Sequence, residues 1–242
     1  MDLKATFFDV SGTLIDEACD RKAHEELVRR LMIAFNLDGD LEEVLAEFER
    51  SFEESYRAMA SAESFRTLGE IHAQAFVSLL MGGVFAGSRA LDAQIADHKI
   101  GQLSNSLHVE YAQAFPASIE ILNLCRDLGY HVGIISDFDL RPLHQILEKA
   151  GFAALCDSVT CSEEVRQYKP SKILFATALQ KAGCRADQAI HFGDRWERDV
   201  LGAREAGMLS CLIGNTGGRD PRPDYVVRDI GQVLDFVRDR HC

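Results

Sequence analysis

Phe7-Phe8-Asp9-Val10-Ser11-Gly12-Thr13-Leu14 sets an apolar run against a carboxylate and then breaks at glycine. Residues 4–10 read as a short buried strand, because a brief apolar run bounded by turn residues suits the interior of a sheet. Asp9 then stands at the strand's carboxyl end, and Gly12 lets the backbone turn tightly beside it. Three later stretches carry the same theme. Ile134-Ile135-Ser136-Asp137 ends an apolar run on a hydroxyl, Tyr168-Lys169-Pro170 supplies a lysine, and His191-Phe192-Gly193-Asp194-Arg195-Trp196-Glu197-Arg198-Asp199 ends another run on an acidic pair.

Outward from these stretches the chain has two textures. After Pro116, helices alternate with short apolar strands: helix 117–128, strand 131–136, helix 143–150, strand 158–161, helix 171–182, strand 189–192, helix 197–206, strand 210–213, a last strand near 225–227 and helix 232–238. This alternation predicts an α/β, Rossmann-like parallel sheet with right-handed crossovers. Gly129, Gly151, Gly183 and Gly207 each follow a predicted helix, as C-terminal caps do. Residues 17–114 lack proline and space their apolar residues for helices, as in Leu27, Leu31, Ala34, Phe35 and again Leu41, Val44, Leu45, Phe48. A turn at Asp38-Gly39-Asp40, helices over 64–80 and 88–111, and breaks at Gly82-Gly83 and Gly87 complete an all-helical insert of four-helix-bundle type. The expected division is a core of residues 1–16 and 115–242 with an inserted helical cap over 17–114. Ligands of open parallel sheets bind beyond the carboxyl ends of the strands, so Asp9, Ser136 and Asp194 are expected in one site.

The chain has 242 residues and a formal net charge of -12, which disfavours a nucleic-acid backbone or an anionic membrane as partner. No apolar run reaches membrane-spanning length and Met1 to Val10 lacks a signal-peptide pattern, so a cytoplasmic protein is expected. The seven cysteines are odd in number and form no Cys-x-x-Cys pair. They read as reduced packing residues, with a Cys156–Cys161 redox pair as the alternative. A homodimer is compatible with the sequence.

The chemistry follows from residue type. Asp9 can attack phosphorus and form an aspartyl-phosphate, while backbone N–H groups at Gly12 and Thr13 can cradle phosphate oxygens. Two meeting anions need a cation. Asp9, the Ser11 carbonyl and Asp194 offer oxygen ligands for Mg2+, and Asp199 can ligate or orient a water. Ser136 and Asp137 are placed to hold the phosphoryl group, and Lys169 to neutralise it and Asp9. Each residue alone has a plainer reading: a strand-end aspartate is usually a turn residue and a single lysine is usually solvated. His191 reads as a satisfied core histidine, Trp196 as packing, and Arg195 and Arg198 as structural ion pairs. Phe48, Phe52, Tyr56, Phe65, Phe76 and Phe85 read as bundle core.

Taken in order, the four stretches resemble the haloacid dehalogenase-like hydrolase superfamily. Asp9 to Thr13 matches its first motif, Ser136 the second, Lys169 the third, and Asp194 with Asp199 the fourth. The insert resembles the helical cap of the dehalogenase and phosphoglycolate phosphatase branch. The resemblance implies a Rossmann-like core, an aspartate nucleophile, Mg2+, a closing cap and a small phosphorylated substrate. Phosphatases of the family carry an acid two residues after the nucleophile, where this chain has Ser11. Such an acid is worth about 10²- to 10⁴-fold in rate, or roughly 3–5 kcal/mol. Asp16, Glu17, His24, Asp137 and Asp139 are the candidates to replace it. Two other readings stay open: a carbon–halogen or carbon–phosphorus hydrolase, and a regulatory protein that only binds phosphate. The Asp194/Asp199 pair argues against a dehalogenase, and an insert with only Lys22 and Lys99 fits a phosphonate hydrolase poorly.

Overall fold

The computed structural model describes residues 2–60, 64–81 and 93–239. Six parallel strands form one sheet: β1 (Ala5–Phe8), β2 (His131–Ser136), β3 (Ser158–Cys161), β4 (Ala189–Gly193), β5 (Leu209–Ile213) and β6 (Tyr225–Val227). Their order is β3-β2-β1-β4-β5-β6. All four residues of β1 are buried, because helices cover both faces of the sheet. Phe8, Ile134 and Phe192 pack on one face, while Ala5, Phe7 and Ile135 pack on the other. Gly133 makes room for this, since a Cβ there would overlap the Phe7 ring. The chain builds β2 and β3 on one side of β1, then crosses back to lay β4, β5 and β6 on the other. The reversal opens a crevice at the carboxyl end of β1, where Asp9 stands.

The insert consists of α1 (Ala18–Phe35), α2 (Leu41–Ala60), α3 (Leu68–Met81) and α4 (Ala93–Tyr111). Leu27, Leu45, Phe48, Phe76 and Leu107 are fully buried among them, as the helical spacing predicts. The predicted breaks at Gly82-Gly83 and Gly87, the predicted helix start at Ser88, and Phe85 lie outside the described residues. Helices α3 and α4 approach closely at two glycines, where a Cβ on Gly101 would stand 2.8 Å from the Gly69 carbonyl oxygen. Asp139, from the core, caps α3: its carboxylate accepts the N–H groups of Leu68 (2.6 Å) and Gly69 (3.0 Å) and the Asn105 amide (3.0 Å).

The remaining helices are α5 (Ser118–Asp127), α6 (Leu140–Lys149), α7 (Ser162–Val165), α8 (Lys172–Ala182), α9 (Leu201–Glu205) and α10 (Ile230–Asp239). Three details differ from the sequence reading. The one-turn α7 carries too short a pattern to register. The helix expected over 171–182 starts one residue later, as α8, with Ser171 as its N-cap and the Ser171 hydroxyl accepting the Ile173 N–H at 3.3 Å. The helix expected over 197–206 begins as a π-turn, Trp196–Val200, before α9. Cys19, Cys125, Cys156, Cys161 and Cys184 form no disulfide, and burial pushes the Cys156 thiol up to about 12 and Cys161 to about 11. Neither would be an accessible thiolate, which disfavours the redox-pair alternative. No helix among the described residues is long and apolar enough to cross a membrane.

Candidate active site

Asp9 follows β1 directly, and its N–H donates to the Phe192 carbonyl (2.9 Å), pinning it between β1 and β4. Lys169 reaches it from the loop before α8. The Lys169 ammonium lies 2.7 Å from Asp9 Oδ1 and donates to Asp199 Oδ1 at 2.7 Å. It is only 2 % exposed, so it is a fixed charge rather than a solvated surface lysine. Asp199, on the π-turn, is held at both oxygens. Its Oδ1 lies 2.9 Å from His191 Nε2, and its Oδ2 accepts the Arg195 N–H at 2.9 Å. The π-turn aims Asp199 back towards the sheet, consistent with such turns marking functional sites. A Cβ at Gly193 would overlap the Asp199 carboxylate, so that position must be glycine.

Asp194, just after β4, is in a different condition. Its Oδ1 is buried without a hydrogen-bond partner among the described residues, and its Oδ2 pairs with Arg195 Nε at 3.0 Å. Gly12, at φ +75°, lies against it: a Cβ there would sit 2.5 Å from Asp194 Oδ2. One oxygen from each of Asp9, Asp194 and Asp199 lies within 4.8 Å of the others. Burial, then the neighbouring Asp9 and Asp199 charges, push the Asp194 carboxyl up to about 8. Burial also raises Asp9, against the pull of Lys169. Asp199 goes the other way: burial opposes its charge, but Lys169 and His191 outweigh that and hold it below the usual carboxylate range. Burial works against the Lys169 charge too, yet Asp199 and Asp9 keep it firmly protonated.

Three carboxylates facing one lysine leave an excess of buried negative charge, with one oxygen unpaired. That donor set of hard oxygens suits Mg2+. Asp9, Asp194 and Asp199 each offer an oxygen that could ligate it, and Asp199, engaged at both oxygens, also positions Lys169 and the Arg195 loop.

Several expected roles are revised. The Gly12 N–H donates to Ile15 (2.8 Å) and the Thr13 N–H to Val10 (3.3 Å), so these amides close the loop instead of cradling phosphate. Thr13 is fully buried, with its hydroxyl unpartnered. The Asp137 carboxylate is also spent, accepting the Tyr56 hydroxyl and the Lys169 N–H (2.8 Å), so any hold on phosphate falls to its backbone N–H. Ser136, 2 % exposed, does line the cleft beside Asp9. His191 orients Asp199 with one nitrogen while its Nδ1 has no partner, so it is more than a satisfied core residue. Trp196 donates to the Pro221 carbonyl at 3.2 Å, as packing predicts. Tyr56 joins the sheet-side core rather than the bundle core, Phe52 packs against the bundle as expected, both line the cleft, and the Arg198 guanidinium lies 3.7 Å over the Tyr56 ring.

The cleft itself, of about 570 Å³, runs between the carboxyl ends of the central strands and the helical insert. The Ser11 hydroxyl donates to Asp20 Oδ2, a residue of α1 that sequence reasoning missed. Asp16 accepts the Ala18 N–H at 3.0 Å, Asp139 caps α3, and Glu17 is exposed, which leaves Asp20 the carboxylate nearest the vacant acid position. The available signal was its spacing: Asp20 and His24 lie one helical turn apart on the face of α1 that meets the cleft.

A family model for haloacid dehalogenase-like hydrolases matches residues 3–207. The chain is 28% identical over 249 residues to a glyceraldehyde 3-phosphate phosphatase of Methanopyrus kandleri, covering 98% of each protein. In fold it is similar to the magnesium-bound HAD-hydrolase YfnB of Bacillus subtilis, with a TM-score of 0.79, 17% identity, and 98% and 100% of the two chains covered. It is also similar to the L-2-haloacid dehalogenase RSc1362, with a TM-score of 0.74, 22% identity, and 98% and 100% coverage.

Proposed function

The chain belongs to the haloacid dehalogenase-like hydrolases, and from that membership we propose that it is a magnesium-dependent phosphatase of small phosphorylated metabolites, working through an aspartyl-phosphate on Asp9. The observation that carries the reading is the convergence of Asp9, Asp194, Asp199 and Lys169, with one Asp194 oxygen buried and unpaired. A dehalogenase has no phosphoryl charge to neutralise and no need of that third carboxylate. The phosphatase name of a relative matched along its whole length supports a sugar- or triose-phosphate substrate.

Lys169 and the Val10 N–H orient the Asp9 carboxylate, to which we assign the in-line attack. The Asp9 O–P bond forms as the ester P–O bond breaks. Magnesium, which Asp9, Asp194 and Asp199 could hold, would supply positive charge to offset the meeting anions. Lys169 supplies a second fixed charge that needs no reorganisation during reaction, and Ser136 offers a hydroxyl to a phosphoryl oxygen. The departing alkoxide must gain a proton, which Ser11 alone cannot give. Asp20, hydrogen-bonded to Ser11 and lining the same cleft, is the donor we assign, and it takes a proton back from the water that cleaves the aspartyl-phosphate.

The test is a panel of sugar, triose and aryl phosphates assayed with Mg2+ and with chelator, for the wild type and Asp9→Asn. Phosphate release that requires both Mg2+ and Asp9 is expected. Chloride release from 2-chloropropionate that persists in chelator would make the protein a dehalogenase. No Asp9-dependent turnover of any substrate would leave it a phosphate-binding protein.

A further inference from the structure

Across the cleft from the carboxylates stands a second group of ligand-type side chains. His24 on α1, His72 on α3 and His108 on α4 converge from three helices, and they are 8%, 1% and 6% exposed. Their ring centroids form a nearly equilateral triangle, with sides of 5.1 Å (His24–His72), 5.3 Å (His24–His108) and 5.0 Å (His72–His108). One nitrogen from each ring lies within 4.8 Å of the others. The rings are held in place, with Phe52 stacked on His72 at 4.3 Å between centroids. Three imidazoles inside an apolar bundle cost more to bury than leucines would, so packing alone does not account for them.

Two of the three rings have a partner for the nitrogen on the far side. His108 Nδ1 lies 2.8 Å from the Ser104 carbonyl, so it carries the proton and leaves Nε2 a bare lone pair. His24 Nδ1 lies 3.7 Å from Glu49 Oε1. A carbonyl or carboxylate behind the ring is what orients a ligating histidine. Neutral imidazole is the form that binds metals. His24 Nε2 and His72 Nε2 stand 3.0 Å apart. Two nitrogens at zinc–nitrogen distances in a tetrahedral site would stand about 3.3 Å apart.

We propose that His24, His72 and His108 form a second metal site, one for a borderline divalent ion of the zinc type, with its fourth position open to the cleft. Three nitrogens select zinc, cobalt or nickel over magnesium, whereas the carboxylates at the strand ends prefer the harder ion. The cap would then present a cation to an oxygen-bearing ligand from the side opposite Asp9.

The test uses the full-length protein, stripped with chelator, in an Asp194→Asn background that weakens the carboxylate site. Titration with Co2+ should give one equivalent bound, with the visible absorption of a four-coordinate nitrogen site, displaced by Zn2+ and not by Mg2+. His72→Gln should weaken this binding at least ~100-fold, and Glu49→Gln, outside the coordination shell, by roughly 10- to 100-fold. Glu49 lies on a partly exposed flank of α2, so its variant still tests the site where His72→Gln does not fold. A six-coordinate oxygen-type spectrum, or Co2+ affinity unchanged in Glu49→Gln, overturns the site. Phosphatase activity is not read, so the result is independent of the reaction assigned above.

Discussion

Asp194→Asn should stabilise the metal-free protein while removing its response to magnesium. The wild-type carboxyl is pushed from 3.8 to about 8 by burial and by Asp9 and Asp199. At pH 7 the unfolded carboxyl is ionised, so folding must bind a proton about three pH units above its ordinary value, at about 1.4 kcal/mol per unit. That places the cost near 4 kcal/mol. An asparagine avoids it but leaves a buried amide poorly paired, at about 1–3 kcal/mol. The net expectation is a gain of about 2 kcal/mol, or roughly 4–8 °C in Tm for a chain of this size. The sign also fixes the pH dependence. The folded state holds the extra proton, so wild-type stability falls as pH rises from about 4 to about 8 and then levels off. The advantage of the variant should grow over that window. With Mg2+ at a hundred times its Kd, the wild type should gain about 2.7 kcal/mol and the variant little. Chemical denaturation in chelator and in Mg2+, at pH 5, 7 and 9, measures all of this. A variant less stable in chelator at every pH, or stabilised by Mg2+ as much as the wild type, would refute both the electrostatics and the metal assignment.

Asp20→Asn should slow turnover of alkyl phosphates by about 10²- to 10⁴-fold and of aryl phosphates far less, since aryl leaving groups need no proton; equal losses in steady-state assays would remove Asp20 from the role. Lys169→Met strands Asp9 and Asp199 as unpaired buried carboxylates, with an expected loss of about 3–5 kcal/mol by urea denaturation and no measurable turnover; near-wild-type activity would show that the ammonium is not part of the chemistry. Gly12→Ala forces a Cβ against Asp194 at positive φ, so Mg2+ affinity measured by thermal shift should fall along with about 1–2 kcal/mol of stability; an unchanged Mg2+ response would mean that Gly12 does not set the Asp194 position.

The amino-acid sequence by itself determined the sheet and the places where its strands deliver chemistry. Apolar runs such as Phe7-Phe8 and Ile134-Ile135 are long enough only for short buried strands, and crossover chirality then fixes which ends of those strands face one crevice. Asp9, Ser136 and Asp194 were legible for that reason, as was the helical insert from its 3.6-residue spacing. What the side chains do at those ends was decided by the tertiary structure. Gly12 and Thr13 close their own loop, Asp137 answers Tyr56 from another layer, and Asp139 caps a helix more than sixty residues upstream. Asp20 meets Ser11, and three histidines 36 to 84 residues apart meet one another, only because the insert folds down over the strand ends. Hydrophobic periodicity records which face of an element is buried, and carries no information about which buried polar groups will meet across two elements.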